Sequence, residues 1–511
     1  MGFIFLNIYD ILIMMINDGG IYMNLKLNYK RTMIIGFAFF SILMVWQAYN
    51  FYCPLFLKTL LGNILSRKSM KYSEFIVGTI MALDNVLALF MLPIFGKLSD
   101  KTKTKYGKRM PYIILGMIAT CIIFPFMALF YLWNNLAGLI VSMFLVLVIM
   151  NIYRSPAVAL MPDLTPKPLR SQANGLVNLV GYFGPILISV VNMLPFLKFT
   201  QNETSIIKTL VPVFVVLISV IIAIVVLVFK IKENEILDSV KDELIEGEKR
   251  SLAETKHISD EPLTKKDKKN IVILLISVCL WFMCFNAVET FNSTYTDDYY
   301  SSYNVAQVKE EQFNDNQYYI LENEKYILAE SFDNEITYYE KDSGSSVASM
   351  GTIILTVSSV ITFAVAGYFA QKFGRKPNVI VGISLLIIGC LLIHLLGVGK
   401  PSPIVYFYFV LLGIGWALIN VNSYPMMVEM SSSKEIGKYT GLYYTASMLA
   451  QSLTPILMGG IIAFVPGVTL KQLFLYSCIM AILALLVFIF FKEDKSKIKE
   501  IKSGLSAFEQ D

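Results

Sequence analysis

Twelve apolar runs, most about as long as the ~20 residues a tilted helix needs to cross a ~30 Å hydrocarbon layer, dominate this chain of 511 residues. Bounded by charged or Gly/Pro/Asn breaks, they fall at 33–57, 75–96, 111–132, 137–160, 172–194, 209–230, 271–293, 347–370, 378–397, 403–424, 438–464 and 470–491. None shows the ~10-residue alternation of membrane-spanning strands, so helices are expected. With 56% hydrophobic and 16% charged residues, the chain lacks the polar surface of a water-soluble globule. The expected fold class is an all-α membrane protein.

An even number of spans leaves both ends on one side, and basic loops near span ends resist translocation. Lys97, Lys101, Lys103, Lys105, Lys108 and Arg109 follow span 2; Lys372, Arg375 and Lys376 follow span 8; Lys492, Lys495 and Lys497 follow span 12. These loops place both termini in the cytoplasm of a multi-pass plasma-membrane protein, outvoting Lys58, Arg67, Lys68 and Lys71 of the first outer loop. The net charge of +5 adds little to this asymmetry and carries no nucleic-acid signature. Six scattered cysteines without a CxxC pair or neighbouring histidines argue against a metal site or a disulfide framework. No cofactor is expected, and no G-x-x-x-x-G-K-(S/T) loop for ATP occurs. Residues 1–32 form a cytoplasmic N-terminal segment. Its first 22 residues lack the basic start and small-residue cleavage site of a signal peptide and read as a start assigned upstream of Met23.

The chain repeats itself. Gly107-Lys108-Arg109-Met110-Pro111 after span 2 has its counterpart 267 residues later in Gly374-Arg375-Lys376-Pro377 after span 8. Pro162-Asp163 with Gly175 is echoed by Glu429 and Gly441. Two six-span halves, 33–230 and 271–491, are thus joined by a charged linker, 231–270, which reads as solvated, and followed by a cytoplasmic tail, 492–511. Parallel six-span repeats are how major facilitator carriers are built, with a site near the midplane between the halves. An acidic, Tyr-rich insert at 294–346 breaks the symmetry. QYYIL, ENE, KYILAE and EITYYEK read as short strands and turns of a small extracytoplasmic β excursion.

The segment 95–116, FGKLSDKTKTKYGKRMPYIILG, matches G-x-x-x-D-(R/K)-x-x-(T/S)-x-x-G-(R/K)-R-x-P along its length. It resembles the loop after helix 2 of the sucrose and glycoside cation symporters, a branch of the major facilitator carriers. SPAVALMPDLTPKPLRSQANGL, from Ser155, resembles the same group's loop after helix 4. The resemblance implies a non-enzymatic secondary transporter, working as a monomer in the lipid bilayer, that moves a sugar or glycoside with H⁺. Its loops imply gating residues at Gly96, Asp100, Gly107, Lys108, Arg109, Asp163, Arg170, Gly374, Arg375, Lys376 and Glu429. Asp100 is expected to meet the positive end of a helix in the other half, with Asp163, Arg170 and Glu429 as comparable latches. The family's own coupling acids are missing: its positions fall on Leu147, Ala88 and Leu92.

One acid lies deep in the bundle, in TIMALDNVLALFMLPIFG. Asp84, 12 residues or ~18 Å from Gly96, faces a cost of at least ~3 kcal/mol if it stays charged in hydrocarbon. Arg154 of span 4 reaches a similar depth, because its side chain points back toward the helix N-terminus. The two are expected to pair, and an acid whose affinity for H⁺ depends on whether an arginine is engaged can couple a proton to a conformational change. A static structural pair is the alternative. Arg154 shifted by one repeat lands on Asn420, so coupling is expected in the first half.

Sugar recognition calls for amide and charged hydrogen-bonding groups with aromatic faces. Trp46, Gln47 and Asn50 in span 1, Asn151 in span 4, Asn174 and Asn178 in span 5, Trp281, Asn286 and Glu289 in span 7, and Trp416, Asn420 and Ser423 in span 10 supply them. Glu289 alternatively snorkels outward. A uniporter or exporter of another small polar solute, and a carrier-like receptor, fit the same pattern.

Overall fold

The computed structural model describes residues 25–65, 69, 72–197, 199, 205–255, 264–307, 318–322, 325–329, 333, 336–342, 344–396, 402–430 and 436–492. All twelve spans are helices long and apolar enough to cross a membrane. They are Tyr29–Ile64, Ser73–Lys101, Met110–Leu132, Leu136–Asp163, Arg170–Met193, Ile206–Lys230, Lys265–Tyr299, Ser345–Phe373, Arg375–Leu395, Ile404–Met430, Ile436–Phe464 and Leu473–Ile489. Several helices run well past their apolar cores because polar end residues extend them. Thr264 and Asp267 form a capping box that starts span 7 among lysines, and span 2 continues through Lys101, a cation at its negative end. Prolines inside the helices, such as Pro54, Pro93 and Pro455, are the kind a membrane bundle tolerates when neighbours satisfy the freed carbonyls.

The insert is a four-stranded antiparallel sheet in the order β1-β4-β2-β3, built from Ser302–Ala306, Tyr319–Glu322, Lys325–Leu328 and Tyr338–Asp342. Three strands fall where the alternation placed them. The fourth, β1, lies in polar sequence continuous with the end of span 7, where no hydrophobic alternation marks it. Lys341 of β4 reaches back 2.7 Å to the fully buried Asp297 and fastens the sheet to the bundle.

The linker departs from the solvated reading. Two helices, Glu233–Ser239 and Lys241–Thr255, run beneath the first half. Glu233 is almost fully buried, Asn234 donates to the carbonyls of Thr104 and Lys105, and Lys167 pairs with Glu248 at 2.8 Å. The two ends of the bundle are accordingly called the linker side and the insert side.

The halves meet most closely on the insert side. A Cβ at Gly78 of span 2 would overlap the Pro455 carbonyl oxygen of span 11, and one at Gly459 of span 11 would lie 2.5 Å from the Glu74 carbonyl oxygen. Small residues let membrane helices approach until backbones touch. Phe464 caps this seam against Phe75 and Tyr72. On the linker side the repeat-related Gly175 and Gly441 have nothing within 4 Å of a Cβ at either among the described residues.

Candidate functional site

On the linker side, the motif after span 2 builds a tight cluster. Arg109, 4% exposed, donates from Nε to Asp163 at 2.8 Å, from Nη1 to the Gly96 carbonyl at 3.3 Å and to Ser99 Oγ, and from Nη2 to Asp100. Lys108 adds a second cation to Asp163 at 3.1 Å. Gly96 lets span 2 lie close to span 4, where a Cβ would sit 2.9 Å from Ser155 Oγ and oblige that hydroxyl to turn aside. Arg170 donates to the carbonyls of Pro162 and Thr165 in its own loop. Spans 2, 3, 4 and 5 are thereby tied together within one half. Asp100, expected to reach the other half, stays with Arg109 and is 56% exposed, which leaves it open toward the linker side. The Glu429 side chain lies outside the described residues.

Gly107 has a role that its place in the motif did not announce. Its φ of +106° suits glycine, and a Cβ would overlap Glu233 Oε2. The backbone N–H groups of Lys108, Arg109 and Met110, at the start of span 3, all point at the Glu233 carboxylate, at 2.9–3.2 Å. An anion at a helix N-terminus satisfies orphan donors and complements the helix dipole. In the second half, Gly374, with φ +92°, joins spans 8 and 9, and Lys376 caps the end of span 12 by donating to Ile489 and Phe491 carbonyls.

Near the middle of the bundle a second constellation forms between the halves. The Arg154 guanidinium of span 4 lies over the Trp46 ring of span 1, 4.5 Å from its centroid. One turn along span 1, Asn50 Nδ2 donates to Glu289 Oε1 of span 7 at 3.3 Å. Glu289 is deep in the bundle yet exposed, and within electrostatic reach of both Arg154 and Tyr182 of span 5. It therefore lines an open cleft, and does not snorkel to the surface. Four residues or ~6 Å toward the linker side, Phe285 stacks on Trp416 of span 10 at 3.9 Å and 9°, and Asn420 donates to the Trp416 carbonyl. Asn174, Asn178 and Tyr182, spaced by four, form a polar ladder from the linker side to Glu289, with Asn178 donating to Asn174.

Other expected site residues lie elsewhere. Trp281 has no exposed surface and meets Phe488 of span 12 edge-on, inside the second half. Steps of four residues drift about 40° on a helix of 3.6 residues per turn, so Trp281 faces roughly 80° away from Glu289. Asn151 and Asn286 are buried, each with a side-chain oxygen that has no protein hydrogen-bond donor among the described residues. Gln47 is half-buried beside Trp46. The side chain of Asp84 lies outside the described residues.

Two six-helix halves around a central polar cleft define a membrane carrier. The chain belongs to the Major Facilitator Superfamily, whose model matches residues 35–308 and 328–508, a family of secondary transporters and not of enzymes. The match spans about a third of the length of its curated relatives. One, Multidrug resistance protein 2 of Bacillus subtilis (strain 168), is 26% identical over 157 residues, 30% of this chain and 38% of that protein. Among solved structures, a D-xylose-proton symporter superposes with a TM-score of 0.60 at 15% identity, covering 92% of this chain and 98% of that one. The nucleoside transporter NupG gives 0.55 at 15% identity, covering 92% and 100%.

Proposed function

We propose that this carrier moves a sugar or glycoside together with H⁺ by alternating access, with the linker side in the cytoplasm. The observation that carries the reading is the central constellation of Trp46, Arg154, Asn50 and Glu289, which sets an aromatic face, a guanidinium, an amide and a carboxylate around one cleft. That mixture suits a polyhydroxylated, neutral solute better than a lipophilic one, because each hydroxyl can donate to one group and accept from another. The loops at 95–116 and from Ser155 support the sugar branch. Asp84 and Arg154 supply coupling: with the guanidinium engaged the acid stays ionised, and when Arg154 turns to substrate a proton binds. With the linker side in the cytoplasm, closure on the insert side and open space at Gly175 and Gly441 support an inward-facing state.

The test is uptake of radiolabelled sucrose, maltose and methyl glucosides into proteoliposomes under an imposed pH gradient. Symport gives accumulation that a protonophore abolishes and Asp84→Asn removes, while exchange at equal concentrations survives. Equilibration without accumulation identifies a uniporter, and binding without movement a receptor; either outcome overturns the reading.

A further inference from the structure

The central cleft holds more acid than the first half alone supplies. Arg154 stands on span 4, in one half, and Glu289 on span 7, in the other. Asn50 bridges toward Glu289 from span 1, and Tyr182 faces it from span 5. Asp84 belongs to the same inner stretch of sequence, as its ~18 Å distance from Gly96 places it. Asp84, Arg154 and Glu289 are the Asp, Glu, Lys and Arg residues set deepest in the apolar runs, and of these the described side chains are Arg154 and Glu289, opposite charges on opposite halves. A carboxylate that lines the cleft from one half and faces a guanidinium of the other can take up a proton from whichever side the cleft opens to.

Resting on the proposed proton coupling, we infer that Glu289 is a second coupling acid, sharing Arg154 with Asp84 across the two halves, and that the site carries one proton per cycle. Ionised, Glu289 accepts from Asn50 and attracts Arg154, which holds spans 1, 4 and 7 together at the centre. A proton arriving from the insert side removes that attraction and frees the Asn50 amide and the Arg154 guanidinium for the hydroxyl oxygens of a sugar. Once the solute leaves on the linker side, the guanidinium returns, and the proton departs to the cytoplasm. The acid stands on the half that moves relative to Arg154, so its charge state is coupled to the conformational change.

The experiment compares wild type, Glu289→Gln and Glu289→Asp in proteoliposomes, using whichever sugar of the panel is accumulated, and measures accumulation, exchange at equal concentrations and the pH dependence of exchange. Wild type should accumulate with one proton per sugar, read from the gradient that just reverses net flux. Glu289→Gln should retain exchange, which shows that it folds, while losing accumulation and the pH dependence. Glu289→Asp should keep both with a shifted pH midpoint. If Glu289→Gln accumulates like wild type while Asp84→Asn does not, this inference falls and the proposed function stands. If wild type itself fails to accumulate any sugar, both fall.

Discussion

Lys58 offers the most direct handle on the conformational equilibrium. It ends the apolar part of span 1 on the insert side, where its ammonium lies 2.9 Å from Glu74 of its own half and also engages Asp298 of the other. Lys58 and Glu74 are 13% and 8% exposed, and Asp298 is 23% exposed, so water screens the triad poorly. At an effective dielectric of 20 the gross attraction at this range is on the order of 6 kcal/mol per pair. Desolvation cancels much of it, and loss of one partner from a buried pair typically costs ~3–5 kcal/mol. Taking ~3 kcal/mol because Asp298 is partly wet, Lys58→Met should shift the equilibrium about a hundredfold toward opening on the insert side. The cost falls on the closed state, where two carboxylates are left facing each other across the halves. Spin labels at the exposed positions Trp133 and Val465, in a background without the native cysteines, should report a longer distance in Lys58→Met. Adding Glu74→Gln and Asp298→Asn should restore the short one. An unchanged distance in the single variant would refute the latch.

Gly78→Ala should also open the insert side, by wedging a methyl group into the Pro455 backbone, and the same spin-label pair measures it. Glu233→Ala leaves three N–H groups at the start of span 3 without their acceptor; at ~1–3 kcal/mol for buried unmet polar groups, it should lower the thermal unfolding midpoint in detergent, whereas Lys167→Ala, at a surface pair, should barely move it. The insert should stay anchored at all ordinary pH values. Burial alone would pull the Lys341 ammonium down, but Asp297, helped by Tyr319 and Tyr303, more than offsets that and leaves it raised. A raised lysine contributes fully below its unfolded value near 10.5 and is lost only as pH rises through the higher folded one. Proteolytic release of the sheet should therefore begin only above about pH 10.5, and release near neutrality would contradict the anchor.

Apolar length and the internal repeat carry the twelve helices and their two-half arrangement in plain view, because hydrocarbon imposes its requirement on each span separately. Side-chain partners are less visible. Span 7 presents Trp281, Asn286 and Glu289 as an undifferentiated polar set, and only the helical drift that turns Trp281 toward Phe488 separates them. Glu289 reads equally well as an outward-snorkelling acid, since nothing in one sequence says that Asn50, 239 positions earlier, stands opposite it. The burial of Glu233 was hidden for another reason: in a run of Lys and Glu, the single carboxylate that docks is chemically identical to those that do not, and its cradle is made of backbone. Asp100 reads in the sequence as a bridge between halves, but that contact depends on which conformation the carrier occupies, and here it pairs with Arg109.

Because Glu233 and the helix ending at Thr255 are fastened beneath the first half, the sequence left to reach the second half is much shorter than the charged stretch suggests. From Thr255 to Lys265, where span 7 begins, the chain can stretch by no more than ~3.6 Å per residue. That chain length sets an upper bound on how far the linker-side mouth can gape, and lengthening it with flexible residues should let the two bundles swing wider apart.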